Sequence, residues 1–381
     1  MITPAVLDAV RTAPLPAYVY DLGHLDAHVR ALTSAFDDPR IEVLHAVKAN
    51  PDAELLRVIA RHVDGLEVAS GGELAHVRSL LPHVPLAFGG PGKTDDELRA
   101  ALSTVDRFHV ESHYELRRLS AFAVSAGVVA RVLLRVNLPV PGTGGAALTM
   151  GGVPSPFGMD PAEAARAASD DLPGVEIVGV HAHLASGLDA PACAALASSV
   201  LRWAVDFGAA QGIRLREVNV GGGMGVDYGD PSRLFDWGSY ARRLSALVPS
   251  GVTVRVEPGR AVSVYSGWYA TRVLDVKHSH GGVFAVCAGG THHLRTPVTK
   301  GHDQPLVVLP FDASCGGPSV VGAPVTFVGQ LCTPKDVFAR GVWVERVSVG
   351  DLVVFAMAGA YAYNISHRDF LMHPCPGVVH V

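Results

Sequence analysis

Glu42-Val43-Leu44-His45-Ala46-Val47-Lys48-Ala49-Asn50-Pro51 is an apolar stretch that meets a lysine and then, at once, a polar turn. A short run of this kind, closed by a proline, reads as a buried β-strand. Lysine is scarce in this chain. Lys48, Lys93, Lys277, Lys300 and Lys335 are the full set, among 31 lysines and arginines. Surface positive charge is supplied by arginine, so a lysine at a strand end invites a chemical reading. Burial strips hydration from an amine and favours its neutral form, which attacks an aldehyde. The alternative is a side chain that buries its stem and extends its ammonium to water. The segment alone does not choose between them.

The same kind of run recurs downstream. Segments 42–45, 65–68, 86–88, 107–110, 131–136, 177–183, 217–220 and 253–256 read as strands. Between them, 53–62, 72–81, 95–102, 113–126, 161–169, 192–211 and 232–248 carry apolar residues three and four apart, the helical spacing. The alternation, over a length near the typical ~250 residues, predicts a (β/α)8 TIM-type barrel. An open doubly wound sheet shares the alternation, but no reversal of strand order is visible. After residue 262 the pattern changes. Segments 262–276, 283–288, 306–309, 325–328, 343–347 and 352–355 are β-type runs between Gly/Pro turns, which predicts an all-β domain, a sandwich or small barrel. Pro14-Leu15-Pro16-Ala17-Tyr18-Val19-Tyr20 reads as a strand joined to it. The expected organisation is a barrel over 21–261 and a β domain made of 1–20 and 262–381. Segment 138–159, rich in Gly and Pro, is the one long irregular insert, of a length common in lids and binding loops.

Bulk composition agrees with a two-domain globular chain. It has 381 residues, 49% of them hydrophobic and 18% charged, enough for a sizeable core. A net charge of −5 offers no basic surface for nucleic acid. No basic start leads into an apolar run, and no apolar stretch reaches membrane length. Five cysteines are scattered without a CxxC pair or a disulfide framework, so a reducing cytoplasm is the expected compartment.

A barrel of this type builds its site at the C-terminal ends of its strands. Those ends carry Lys48, Ser70, Gly89-Gly90, Glu111, Arg135, His183, Gly221-Gly222-Gly223 and Glu257. An amine, carboxylates, an imidazole, an arginine and a glycine-rich turn are the groups that hold a phosphorylated aromatic aldehyde. The glycine run is either a tight turn or a cradle where backbone N–H groups approach phosphate. Glu257 in Glu257-Pro258-Gly259-Arg260 either forms an ordinary ion pair or faces a pyridinium nitrogen, with Arg260 taking a phosphate oxygen. His181-Ala182-His183, at the end of the 177–183 strand, places both imidazoles on one face, since side chains alternate. That pair could bind zinc, although no further His/Asp cluster supports a metal, or one ring could stack on a cofactor. Ser186 lies three residues on, within reach of phosphate.

Taken together, these motifs resemble the fold-type III pyridoxal-phosphate decarboxylases, the diaminopimelate and ornithine decarboxylase group, with alanine racemase more distant. The resemblance covers nearly the whole chain. It rests on Val47-Lys48-Ala49-Asn50, Val68-Ala69-Ser70-Gly71-Gly72-Glu73-Leu74, His181-Ala182-His183-Leu184-Ala185-Ser186, the glycine run, Glu257-Pro258-Gly259-Arg260, Cys332-Thr333-Pro334-Lys335-Asp336 and Gly359-Ala360-Tyr361. It implies a pyridoxal 5'-phosphate cofactor linked to Lys48, His183 stacked on its ring, and Glu257 on its ring nitrogen. Ser186, Gly222, Gly223, Arg260 and Tyr361 would surround the phosphate, with Glu73 and Arg135 near the cofactor face. Cys332 would return a proton after loss of the substrate carboxylate, in a homodimer that shares its sites. No metal, nucleic acid or membrane is implied. The substrate would be a small amino-acid-type molecule.

One departure bears on that substrate. The relatives named above carry an acidic residue just after this cysteine, where it binds a distal amino group; here the position is Thr333. His293, Arg295 and Asp336 are instead candidates, with Thr333, to meet a distal carboxylate. In this respect the chain looks most like the branch that acts in carboxylate-siderophore assembly on a citryl-diaminopropionate-type conjugate. The alternatives are a diaminopimelate, ornithine, lysine or arginine decarboxylase, a non-catalytic pyridoxal-phosphate carrier, which would lack the β domain, and a zinc hydrolase built on His181 and His183.

Overall fold

The computed structural model describes residues 2–140, 148–311 and 316–381. Part of the 138–159 insert, residues 141–147, and Cys315 lie outside them. The described chain forms two compact units. One comprises His28–Val226 and Phe235–Val262, the other Met1–Ala27, Asp227–Leu234 and Ser263–Val381.

The first strand, β1 (Ala17–Tyr20), belongs to the second unit. The first unit is a closed barrel of eight parallel strands. In chain order these are β2 (Ile41–Ala46), β3 (Gly65–Val68), β4 (Leu86–Phe88), β5 (Arg107–Val110), β6 (Ala130–Arg135), then, after the two-residue β7 (Leu148–Thr149), β8 (Val175–His181). Beyond β9 (Ala185–Ser186), which pairs only with β7, come β10 (Glu217–Asn219) and β11 (Thr253–Val256). Strands β2 to β6, β8, β10 and β11 neighbour one another in chain order, and β11 closes on β2. A parallel strand covered by helices is buried on both faces; Leu66, Val68, Phe88, Val110 and Val132 are all fully enclosed. The helices between strands start where the sequence supplies caps. Ser70, Ser112, Asp160, Asp189 and Asp236 each accept a backbone N–H of the first turn, satisfying donors that the helix leaves open.

Two expectations shift here. The helical spacing over 232–248 becomes a helix only from Trp237 to Ser245, because Asp236 caps Ser239 N at 2.8 Å and Asp227–Leu234 groups with the other unit. The strand expected over 177–183 stops at His181, so His181 and His183 do not alternate along one strand.

The second unit is a mixed sheet. β12 (Gly267–Ser279) pairs with β1 and with β13 (Gly282–Cys287). β14 (Leu306–Leu309) lies at one edge; β15 (Ser319–Val328) and β16 (Val337–Ser348) form a long antiparallel pair. β17 (Leu352–Phe355) joins β12 to β14, and β18 (Gly377–His380) runs parallel to β1. Val10, Val19, Trp268, Ala270, Leu352 and Val354 form one of its cores. The helix Pro4–Thr12 packs Val6, Ala9 and Val10 into it. Its signature, Thr3 as cap and Pro4 at the first helical position, is not among the sequence expectations. The run expected to be strand from 262 begins instead with helical turns, Arg260–Ser263 and Val264–Ser266, and becomes extended only at Gly267. Among the described residues no helix is long and apolar enough to cross a membrane.

Candidate active site

Lys48 sits in a single 3-10 turn, Val47–Ala49, directly beyond the C-terminal end of β2. Its side chain is 43% exposed, and Nζ lies 2.6 Å from Glu67 Oε2. The amine is therefore not desolvated, as burial at a strand end would make it; a buried carboxylate holds it at the mouth of the barrel. Glu67 comes from the middle of β3, where it stands between Leu66 and Val68. Sequence patterning does not single it out, because a strand enclosed on both faces gives no alternation by which to sort inward from outward side chains.

Glu257 lies just past β11 and is buried. Asn219 Nδ2 donates to its Oε1 at 2.7 Å, and His181 Nε2 lies 3.2 Å from Oε2. His109, from β5, places Nδ1 3.7 Å from Oε1. Burial opposes the charge of Glu257, but His181, which hydrogen-bonds it, and the positive charge of Lys48 hold the carboxyl well below the usual carboxylate range. Burial also pushes the ring of His109 well below its ordinary value, and His181 beside it acts in the same direction. The two imidazoles are stacked, centroids 4.1 Å apart and planes 15° from parallel. Imidazole lone pairs lie in the ring plane, so two nearly parallel rings one above the other do not aim at a common ion. His109, His181 and Glu257 are close enough to be considered as metal ligands, yet this stacking does not suit a tetrahedral site.

His183 is turned to a different partner. Gly222 N donates to its Nδ1 at 2.9 Å. Burial, with Lys48 and Arg135 nearby, brings the ring down to about 3, so it is neutral. The glycines after β10 are sterically required. A Cβ on Gly222 would lie 2.2 Å from the carbonyl oxygen of Glu257, and one on Gly223, at φ +98°, 2.3 Å from that of Ala185. Any side chain would push these strand ends apart. Ser186 is half-buried in β9, and Arg260 begins the turn after Glu257.

Arg135 ends β6, buried, 2.5 Å from Glu111 Oε1 and over the ring of Phe157. Glu111 also accepts from Gly90 N at 2.9 Å and Gly158 N at 3.1 Å, which fixes it and hence Arg135. Glu73 takes Ala69 N at 2.8 Å at the start of its helix, and burial raises its carboxyl. Its carboxylate thus closes the β3-to-helix turn; Glu67 supplies the carboxylate beside Lys48. Lys93, another of the few lysines, is fully enclosed and donates to Gly90 O, His109 O and Glu115 Oε1 at 2.7–2.8 Å, a strut that uses all three donors.

The remaining candidates lie in the β unit. Cys332 is exposed and Thr333 half-buried in a turn between β15 and β16. Asp336 is buried and accepts Thr291 N at 2.6 Å and Leu331 N at 2.8 Å, so it clasps two loops. His293 is also buried, with Nδ1 2.9 Å from Tyr269 Oη and Nε2 2.9 Å from Pro374 O. Both ring nitrogens are spent internally. In this arrangement Asp336 and His293, both expected to meet a substrate, are bonded within the β unit. His292, beside them, has neither ring nitrogen hydrogen-bonded. Arg295 is half-buried, 3.4 Å from His367 Nδ1. Tyr361 adopts φ +48°, and its carbonyl accepts from Thr296 Oγ1 at 2.7 Å.

At the barrel mouth an accessible amine, a neutral imidazole, a backbone-walled glycine cradle and a buried ionised carboxylate occur together. This set suits a phosphorylated pyridine aldehyde: the amine for its carbonyl, the carboxylate for its ring nitrogen, and the cradle, which excludes side chains, for its phosphate. Fold and site define a pyridoxal-phosphate enzyme of barrel and β-domain type. Residues 22–264 match the family described as pyridoxal-dependent decarboxylase, pyridoxal binding domain. The chain is 38% identical, over 97% of its length and 94% of the other, to the 2-[(L-alanin-3-ylcarbamoyl)methyl]-2-hydroxybutanedioate decarboxylase of Staphylococcus aureus. It is 34% identical, over 92% and 84%, to a diaminopimelate decarboxylase of Pseudomonas aeruginosa. A solved diaminopimelate decarboxylase variant from Helicobacter pylori, complexed with L-lysine, aligns with a TM-score of 0.87 at 26% identity over 98% of this chain and 93% of that one. The chain belongs to the pyridoxal-dependent decarboxylase family and is a carboxy-lyase.

Proposed function

We propose that the protein removes the α-carboxylate from an amino-acid group carried on a polycarboxylate, a conjugate of the citryl-diaminopropionate type. Likeness to the Staphylococcus aureus decarboxylase over 97% of the chain carries this reading. That enzyme's named substrate is an alanine joined through its third carbon to a hydroxybutanedioate. Thr333, where an acidic residue would bind a distal amine, supports it. A diamine precursor is the second reading, favoured by the likeness to diaminopimelate decarboxylases.

Bound pyridoxal phosphate supplies an electron sink for the pair left when carbon dioxide departs. The chain's own groups do the rest. Lys48 would hold the cofactor through its aldehyde, with Glu67 keeping the amine oriented. His183, neutral and fixed by Gly222 N, supports one face of the ring. Glu257, kept ionised, would face the ring nitrogen and favour its protonated form, which would deepen the sink and favour decarboxylation over racemisation. Gly222, Gly223, Ser186, Arg260 and Tyr361 take the phosphate. Arg135, pinned by Glu111, borders the ring. Cys332 returns a proton to the carbon that lost its carboxylate. Thr333, Arg295, His293 and Asp336 border the distal part of the substrate, and His292 joins them. The active form is a cytoplasmic homodimer in which each Cys332 serves the neighbouring copy's site.

Borohydride reduction of purified protein tests the anchor: a stable cofactor adduct should form on Lys48 and be absent from Lys48→Ala. Carbon dioxide release from a panel of conjugates and free amino acids tests the substrate. Faster release from diaminopimelate than from the citryl conjugate would select the second reading. Cys332→Ala should slow turnover by about 10²-fold with cofactor binding intact; loss of cofactor would remove Cys332 from its role.

A further inference from the structure

The stacked imidazoles of His109 and His181 have no part in the roles above, yet they stand against the carboxylate on which the chemistry depends. His181 Nε2 is 3.2 Å from Glu257 Oε2, while Asn219 occupies Oε1. His181 Nδ1 and both ring nitrogens of His109 are buried with no hydrogen-bond partner. Leaving buried polar atoms unpaired is costly, and an apolar pair would fill the same space without that cost. Glu257 is bounded on every side by groups that bear on its charge: Lys48 after β2, His109 on β5, His181 on β8 and Asn219 on β10, with Lys93, Arg135 and His183 close behind.

We propose that His181 is a positioning residue for Glu257 and that His109 is the plate that holds it. His181 donates one proton through Nε2 to Oε2. The ring of His109, lying flat against it at 4.1 Å, prevents rotation and disfavours a second proton, since two stacked cations would face one another. Glu257 thereby remains an anion whose own donors are fixed, and any further proton it shares must come from the ring nitrogen. This inference rests on the reading of Glu257 given above.

Four variants separate the roles. His181→Phe keeps a stacked ring and removes the donor; His181→Gln restores a donor. His109→Phe keeps the plate, and His109→Ala removes it. In cofactor-free protein, imidazole nitrogen chemical shifts should show His181 as the Nε2–H form, and that signature should be lost in His109→Ala. In cofactor-loaded protein, His181→Phe should displace the pH titration of the cofactor's absorbance and lower kcat about tenfold to a hundredfold, the worth of one hydrogen bond to a charged group. His181→Gln and His109→Phe should recover most of both. An unmoved absorbance titration in His181→Phe, or an Nδ1–H tautomer in the unaltered protein, would overturn the proposal. Lower melting temperatures across all four variants with no change in titration would show a merely structural pair and overturn it equally. Should the unaltered protein neither bind pyridoxal phosphate nor release carbon dioxide, the functional reading fails. The tautomer measurement, which needs no cofactor, still judges this inference.

Discussion

The two ends of the barrel are built from the same residue types and use them in opposite ways. At the N-terminal end, Glu217 is gripped by Arg107 and by Arg255, and Arg255 also reaches Glu42 at 2.6 Å. Arg107, Arg255 and Glu42, with Asp64, Asp106 and Arg131, line a cavity of about 300 Å³. Asp64 and Asp106 each accept a backbone N–H at 2.8 Å. Charge there is matched group for group. At the C-terminal end, the charges are paired but leave capacity over: Lys48 is nearly half exposed, and three imidazole nitrogens around Glu257 are unbonded. Matched charge maintains strands; unmatched charge is available to a ligand. The difference agrees with the general division of such barrels into a stabilising and a catalytic face.

The contrast breaks first at Lys48. Lys48→Ala should cost roughly a thousandfold or more in carbon dioxide release while leaving thermal unfolding close to that of the unaltered chain; a large fall in melting temperature with activity retained would reverse the assignment of faces. At the other end, Glu217→Ala should destabilise the fold by about 3 kcal/mol, because the half-buried Arg107 loses its carboxylate partner and the buried Arg255 keeps only Glu42. Denaturant unfolding measures it, and activity per folded molecule should be unchanged.

A smaller effect concerns pH. His45, buried on β2 with Nδ1 donating to Pro258 O at 3.1 Å, has its ring lowered by burial from 6.5 to about 4. Its folded value lies below its unfolded one, so the unfolded chain binds more protons in acid. Stability is complete above about pH 6.5 and declines toward pH 4, by about 3 kcal/mol for this group. Unfolding free energies across that window should fall less steeply in His45→Gln. The smallest effect is expected at Arg131, which is exposed and 3.7 Å from Glu176. Arg131→Ala should change stability by less than about 1 kcal/mol, even though it borders the same cavity as Arg255.

The frame of the molecule is more legible in the sequence than its wiring. Barrel strands such as Arg107–Val110 and Thr253–Val256 stand out because a short apolar run between two helical patterns suits little besides a buried parallel strand. The strand-end residues follow from the barrel itself. Glu67, His109 and Asn219 do not stand out. Each sits inside a strand whose neighbours are apolar, and its importance arises from a partner on another strand that only closure brings near. The bonding of His293 and Asp336 is hidden for the complementary reason. In sequence they stand in polar loops and resemble solvent-facing groups; folded, they are the internal ties of those loops.

The pairing of β1 with β18 sets an order in time. Ala17–Tyr20 is synthesised before every strand of the barrel, and its parallel neighbour Gly377–His380 after all of them. The chain also passes between the two units near residues 27, 226, 234 and 262. The barrel can close once β11, its eighth strand, has been made, whereas the sheet begun by β1 must wait for β18. Through that interval β1 offers an unpaired, apolar edge, and shielding it is a demand that synthesis places on the cell, separate from any demand of catalysis.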